Sequence, residues 1–427
     1  MPGLSCQRLF GHFPSMLKKP VILQIIPALD TGGAERTVID VAEALTMAGG
    51  KAMVASEGGR LEGELAAVGG ALVHLPAAAK NPFTLLVNAR RLEKLMAERH
   101  IQLVHARSRA PAWSALIAAR RAGIPFVTTY HGIYKQKTAL KSWYNGVMAR
   151  GDIVIANSHY TAGIVRARHG TEEARLRVIH RGVDLARFAP DAVPAERIAE
   201  LRARWGVDAN ARLVVLAARL TRWKGQHVAI GAAALLKDRP EFNDVVFVLA
   251  GDDQGRAGYR EELTSRIAQL GLRARVKLTG HCDDMPAAFL AASLALVPSV
   301  EAEAFGRISA EAQAMGCPVI VSNLGALPET IVEGGADRVA TGWVFPAGEE
   351  AALADRIAMA LSLPPETRAA IGRAAREHVI AHFSKSVLQR ETLAVYDNLL
   401  DSKLEEAFNQ KLSGYEDFMP SRSRISV

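Results

Sequence analysis

From residue 21 onward the chain alternates short apolar, β-branched runs with longer helical patterns, and it completes that alternation twice. The first series is VILQIIPAL, KAMVAS, ALVHLP, LVHARS, PFVTTYHG, IVIANS and RVIHRGV. The second is RLVVLAARL, DVVFVLAGDD, RVKLTGH, LALVPSV, PVIVSN and TGWVFPAGEE. A strand apolar along its whole length is covered on both faces, and helices between such strands make the sheet parallel. GGAERTVIDVAEALTMAGG shows the helical type: apolar residues recur at three- and four-residue spacing and a Gly pair ends it. Between the series, residues 181–212 hold Pro190 and Pro194, many charges and no strand, so they read as a linker with a short helix. The pattern predicts two doubly wound α/β units. Ligands of such sheets sit beyond the carboxyl ends of the strands. Two facing units would share a cleft.

Bulk properties narrow the ligand. A length of 427 residues suits two domains better than one. The net charge of +8 favours an anionic partner: a nucleotide, a phosphorylated lipid, a membrane or a nucleic acid. No long Lys/Arg run occurs, which argues against nucleic acid. Cys6, Cys282 and Cys317 are too few and too scattered for a disulfide framework or a zinc site, as in a reduced, cytoplasmic protein. No stretch approaches the roughly 20 apolar residues that span a bilayer. Membrane contact would be peripheral. Residues 1–19 lack an apolar signal core, because Gln7, Arg8 and His12 interrupt it, and they read as an extension.

Candidate site residues cluster after strand patterns. Gly32 and Gly33 follow the first strand, where the backbone can approach a ligand and a helix N-terminus favours an anion. A plain tight turn is the competing reading, and the G-x-G-x-x-G fingerprint is absent. Arg219 and Lys224 follow the first strand of the second unit and suit a diphosphate, or else a solvated loop, the fate expected for Arg222. His131 ends the fifth strand pattern, placed to contact a sugar or phosphate or to act as acid or base; a structural role competes. Adjacent residues such as Asp252–Asp253 and Asp283–Asp284 point in different directions and read as turn and cap residues, so no protein-bound metal is expected. Glu303, Phe305 and Gly306 lie in a strand-to-helix turn. Backbone N–H groups from Gly306 to Ile308, including that of Arg307, form the helix N-terminus, and Glu311 rides on the helix.

Together these residues resemble glycosyltransferase family 4, retaining enzymes of the GT-B fold. The matching blocks are GGAER, TTYHG, VIANS, VIHRGVDLARF, ARLTRWKG, VLAGDD, LTGHCDDMPAAF and VPSVEAEAFGRISAEAQAMGCPVIVSNLGALPETI. They run in order over about residues 21–400. The resemblance implies two Rossmann-like doubly wound domains facing an interdomain cleft. An acceptor domain would span 20–190 and a nucleotide-sugar domain 191–383. A helix at 384–400 would cross back to the first domain; the tail at 401–427, which mixes charges with Pro and Ser, reads by composition as loosely ordered, with a helical extension over SKLEEAFNQKL as the alternative. The resemblance also implies a nucleotide diphosphate sugar as co-substrate, no cofactor and no metal. On matching positions, Glu303 resembles the acid near the reaction centre and Glu311 the acid that binds the ribose. Arg219 and Lys224 resemble the cations on the diphosphate, with Gly32 and Gly33 approaching it from the other domain. His131 resembles the histidine on the transferred sugar. Phe305, Gly306, Arg307 and Ile308 complete the donor side.

Two departures stand out. Glu301 and Ala302 lengthen the usual entry by one residue, so Glu301 competes with Glu303, although the EAFG register favours Glu303. Arg307 stands where the family often has a small or apolar residue. For the acceptor, Arg107 and Arg109 at a strand end and Lys135 in a basic, aromatic stretch are candidates. Both stretches resemble those of lipopolysaccharide core glycosyltransferases, which implies a glycan or glycolipid acceptor at the inner membrane. A dinucleotide oxidoreductase lacks its fingerprint here. A non-catalytic sugar-binding protein would keep the fold but has no need of Glu303, Glu311, Arg219 and Lys224 together.

Overall fold

The computed structural model describes residues 19–30, 32–134, 138–335 and 338–418. The expected extension up to residue 18, Lys135, and the tail beyond residue 418 lie outside them. All thirteen apolar runs are strands. The first sheet holds β1 (Val21–Ile25), β2 (Lys51–Ser56), β3 (Ala71–His74), β4 (Leu103–Ala106), β5 (Phe126–Tyr130), β6 (Ile153–Ala156) and β7 (Leu176–Val178), in the order β3-β2-β1-β4-β5-β6-β7. The second holds β8 (Arg212–Ala217), β9 (Val245–Ala250), β10 (Val276–Gly280), β11 (Ala292–Val297), β12 (Val319–Ser322) and β13 (Gly342–Phe345), in the order β10-β9-β8-β11-β12-β13. Every pairing within them is parallel. The architecture is that of two Rossmann-like domains.

Strand order reverses between β1 and β4 in one sheet and between β8 and β11 in the other. The loops leaving those four strands therefore splay apart and open a crevice at each switch point. Their residues include Gly33, Arg109, Lys224 and Glu303, so topology alone brings the main candidates to two facing edges.

The chain crosses between domains twice, and the crossings are bonded to one another. Val183 N–H donates to Phe383 O at 2.7 Å, and Lys385 N–H to Val183 O at 2.9 Å. Val183 and Phe188 already pack in the core of the second sheet, so the boundary expected at residue 190 falls after the crossing. Pro190 and Pro194 mark the linker's turns, not its start. The helix Lys385–Leu400 then lies on the first domain, where Leu388, Leu393, Val395 and Tyr396 join the core of Ile22, Val41 and Leu45.

The expected loose tail is partly a helix, Leu404–Phe418. Asp401 takes a left-handed turn, φ 50°, and the Asp397 carboxylate accepts from the N–H groups of Leu404 (2.7 Å) and Glu405 (2.8 Å). Leu404 and Phe408 are buried in the first-domain core, an apolar spacing masked in sequence by the charges between them. Among the described residues no helix is long and apolar enough to cross a membrane.

Candidate active site

The loops after β8 and β11 cross each other. Gly225, with φ 75°, passes under Pro298 so closely that a Cβ there would lie 1.8 Å from Pro298 O. Val300 N–H donates to Trp223 O at 2.8 Å. This crossing delivers Lys224 to Glu303, Nζ to Oε1 2.7 Å, with the side chains 14% and 12% exposed. Ser299 Oγ donates to the same oxygen, and the ammonium sits 4.2 Å from the Trp223 ring centroid. Arg219 stays exposed on the cleft wall, reaching Gln254 Oε1 only at 3.5 Å. Arg222 turns outward to pair with Glu262.

Glu303 is fixed from behind as well. Its carbonyl accepts from Ala326 N–H at 2.9 Å, and Gly325, φ 65°, would place a Cβ 2.3 Å from that same oxygen. Gly306 then turns the chain at φ 114° into the helix Arg307–Ala314. The N–H groups of Arg307 and Ile308 have no acceptor in the helix's first turn, and both residues line the cleft. The Phe305 ring is 3% exposed and packs edge-on against Phe383 at 5.5 Å, so it anchors the loop. Glu311 is nearly buried and accepts from Arg307 Nε at 2.7 Å. Arg307 thus orients Glu311. Glu301 is solvent-exposed.

Across the cleft, Gly32 caps the helix Gly33–Met47 and Gly33 lines the cavity. His131 lines it too, with both ring nitrogens buried and without a partner among the described residues. Burial first, then the guanidiniums of Arg181 and Arg107, holds its pKa well below the usual imidazole range. Its ring is neutral, and both nitrogens keep unused hydrogen-bonding capacity among the described residues. The cleft measures about 670 Å³ and also takes in Asn157, Arg187, His281, Asp283 and Met285. The remaining acids serve locally: Asp252 and Asp253 accept from backbone N–H groups of Gln254 and Gly255, and Asp284 caps a helix at Ala287.

The acceptor-side expectations fare differently. Arg107 is 3% exposed, bonded to Gln24 Oε1 at 2.6 Å and Thr129 Oγ1 at 3.3 Å. It is held down by Gln24 of β1 and Thr129 of β5, the strands on either side of β4, and so lies beneath the cleft surface instead of on it. Arg109 bonds Asn145 Oδ1 at 2.7 Å and stacks 4.2 Å from the Tyr134 ring centroid, bracing the segment after β5.

Two groups escape a reading by strand ends. Arg181, in the crossing segment, lines the cleft. Glu329, of the P-E-T turn, accepts from the N–H groups of His159 (2.7 Å) and Tyr160 (2.6 Å), capping a first-domain helix from the second domain. Beside it, Ser158 Oγ and Thr161 Oγ1 donate to Ala304 O at 2.7 and 3.3 Å. Burial pushes Glu329 up, but hydrogen bonds from His180 and from the Tyr160 and His159 backbone outweigh it and hold the carboxyl below its usual range. The P-E-T turn was visible in sequence; its partner lies in another domain and was not.

Two family models match the chain: Glycosyltransferase Family 4 over residues 31–187 and Glycosyl transferases group 1 over residues 197–378. Among curated relatives, the D-inositol 3-phosphate glycosyltransferase of Salinispora tropica is 34% identical over 258 residues, 56% of this chain. The chain spans about half of that relative, 53%. Among solved structures, a glycosyltransferase from Rickettsia africae superposes with TM-score 0.81 at 31% identity, covering 90% of this chain and all of that one. Anabaena HepE in complex with UDP-glucose gives TM-score 0.72 at 26% identity, covering 89% of this chain and all of that one. WaaG, a glycosyltransferase involved in lipopolysaccharide biosynthesis, gives 0.64 at 16%, over 89% and 100%, and at that identity shares the fold alone.

Proposed function

The chain belongs to glycosyltransferase family 4, and on that premise we propose that it is a retaining, metal-independent hexosyltransferase. It would move a hexose from a nucleotide diphosphate sugar to a hydroxyl of an anionic glycolipid or surface glycan. One observation carries this reading: the Lys224–Glu303 pair at the carboxyl end of β8 and β11, beside a helix N-terminus and across a cleft from His131. An oxocarbenium-like state forms as the bond from C1 to the diphosphate breaks. Lys224, Arg219 and the N–H groups of Arg307 and Ile308 face the charge that develops there. Glu303 steadies the sugar, Glu311 holds the ribose hydroxyls, and the acceptor oxygen bonds to C1 from the side the diphosphate leaves. The departing phosphate oxygen takes the acceptor's proton.

The complex of HepE with UDP-glucose supports a uridine donor. The inositol phosphate relatives support an acceptor bearing a phosphate, a wider class than the lipopolysaccharide core. The test is a thermal-shift and turnover screen against UDP-glucose, UDP-N-acetylglucosamine and GDP-mannose. A nucleotide sugar that binds the native state raises the Tm. If none shifts it and none is turned over, with or without acceptor, the reading fails.

A membrane-borne acceptor also calls for a docking face. Leu140 and Trp143 are 75% and 54% exposed beside Lys141, Trp143 stacks on Trp113 with centroids 4.3 Å apart, and the Arg150 guanidinium lies 4.9 Å from the Trp113 centroid. Co-sedimentation with vesicles containing phosphatidylglycerol is expected, weaker in 0.5 M salt and in Trp143→Ala. Equal binding to neutral vesicles would remove the electrostatic part of this reading.

A further inference from the structure

Two guanidinium groups, one from each domain, meet at the N-terminus of the helix Gly33–Met47. A Cβ placed on Gly33 would lie 2.5 Å from Arg181 Nη1 and 3.5 Å from Arg307 Nη1. Both arginines line the cleft beside His131. Arg307 uses its Nε on Glu311, whereas Arg181 takes no hydrogen bond or ion pair among the described residues. Like charges in a partly desolvated place repel. Burial first, then Arg307, pushes Arg181 down to about 10, where it is still charged at neutral pH. The Glu35 carboxylate offsets part of that repulsion but not all of it, so the pair still costs free energy as it stands. An anion between the two would replace that repulsion with charge-assisted hydrogen bonds.

The charge of the cleft says which anion. Arg181, Arg187, Arg219, Lys224 and Arg307 face Asp283, Glu303 and Glu311, five cations against three acids. That excess is about what one sugar diphosphate neutralises, so a separate anion is not needed. Gly33, at the start of the first helix, puts no side chain of its own at the meeting point.

We propose that Arg181 and Arg307 form a second, interdomain clamp on the donor's diphosphate, opposite Arg219 and Lys224. This rests on the glycosyltransferase reading above and adds a residue and a role to it. Without donor the two guanidiniums push the domains apart. Bound diphosphate bridges them, favours closure, and gives Arg181 direct contact with the leaving group.

The test compares wild type, Arg181→Gln, Arg307→Gln and the double variant, with UDP and inorganic pyrophosphate as probes. Arg181→Gln is expected to weaken UDP binding roughly 10- to 100-fold by titration calorimetry, as loss of charge-assisted bonds does. Arg181→Lys should recover part of it. The second substitution should cost less than the first, since one broken arm already ends the bridge. Small-angle scattering should show UDP compacting wild type but not Arg181→Gln. Pyrophosphate should raise the Tm of wild type and leave that of Arg181→Gln unmoved. Wild-type-like UDP affinity and compaction in Arg181→Gln overturn the clamp and leave the glycosyltransferase reading standing. Loss confined to a phosphorylated acceptor also overturns it, making the pair an acceptor site. If wild type turns over no nucleotide sugar, that reading fails, and the pyrophosphate arm still decides the clamp. Should Arg181→Gln not fold, Arg181→Lys and Arg307→Gln carry the same comparison.

Discussion

Lys224→Met is expected to lower kcat/KM for the donor by about 10³-fold or more, the largest single effect among the cleft cations. One part is direct: losing a preorganised donor at developing charge costs roughly 10²–10³-fold. The other part acts through Glu303. Its carboxylate is 12% exposed and shares its Oε1 between Lys224 and Ser299. Removing the ammonium leaves a mostly buried charge with one neutral partner, a loss of roughly 3–5 kcal/mol when such pairs are broken from one side. The Tm of Lys224→Met should therefore fall. Adding Glu303→Gln should restore part of that Tm while restoring no activity, because the unpaired charge disappears but neither of the proposed catalytic groups returns. Simple additivity in both Tm and kcat/KM would mean that the two side chains do not act as one unit.

That pair also marks how far the sequence alone could go. All thirteen strands were legible, since a buried parallel strand has to be apolar along its length and helices have to separate such strands. That Glu303, Arg219, Lys224 and Gly33 line the cleft was legible because switch-point topology puts particular strand ends there, and Glu311 because it rides on the helix that follows one of them. What periodicity cannot carry is which side chain is covered by a neighbouring loop. Arg107 follows an apolar strand as Lys224 does, yet it is roofed over and bonded to Gln24. Arg181 and Glu329 sit in a crossing segment and a short turn, and their meaning depends on residues far away in the chain. Arg307 could not be placed until the helix put it one turn before Glu311 and the fold set it against Arg181. The tail helix was legible only as the lesser reading of SKLEEAFNQKL, because its buried face is Leu404 and Phe408 with charges around them, a narrow stripe.

Glu329→Ala tests the other consequence of distant partners, and it should reduce kcat roughly 10²-fold while changing UDP affinity much less. The donor's predicted contacts lie mainly on the second domain, and Arg181 sits in the crossing segment next to Val183, which stays bonded to Phe383 and Lys385, so binding does not require the cap. Closure does. Glu329 joins the domains by two bonds to the N-terminus of the helix His159–His169, where negative charge is favoured. Ser158 and Thr161, on that same helix start, hold Ala304 O, next to Glu303. The turn bearing Glu329 is in turn tied to Glu303 through the bridge to Gly325. The group near the reaction centre and the interdomain cap are thus one mechanical unit, and an open domain arrangement would release Glu303's neighbour. Glu329→Gln keeps one acceptor oxygen and should fall between wild type and alanine. Ser158→Ala should lower kcat in the same direction by a smaller factor. Because its bonds hold Glu329 below the ordinary glutamate range, the cap persists at neutral pH and is lost only as pH falls through that lowered value. It therefore adds no pH dependence to kcat between pH 6 and 8, a range in which a wild-type profile can be measured against Glu329→Gln. A rise in KM with kcat unchanged in Glu329→Ala would place Glu329 in donor binding and not in closure.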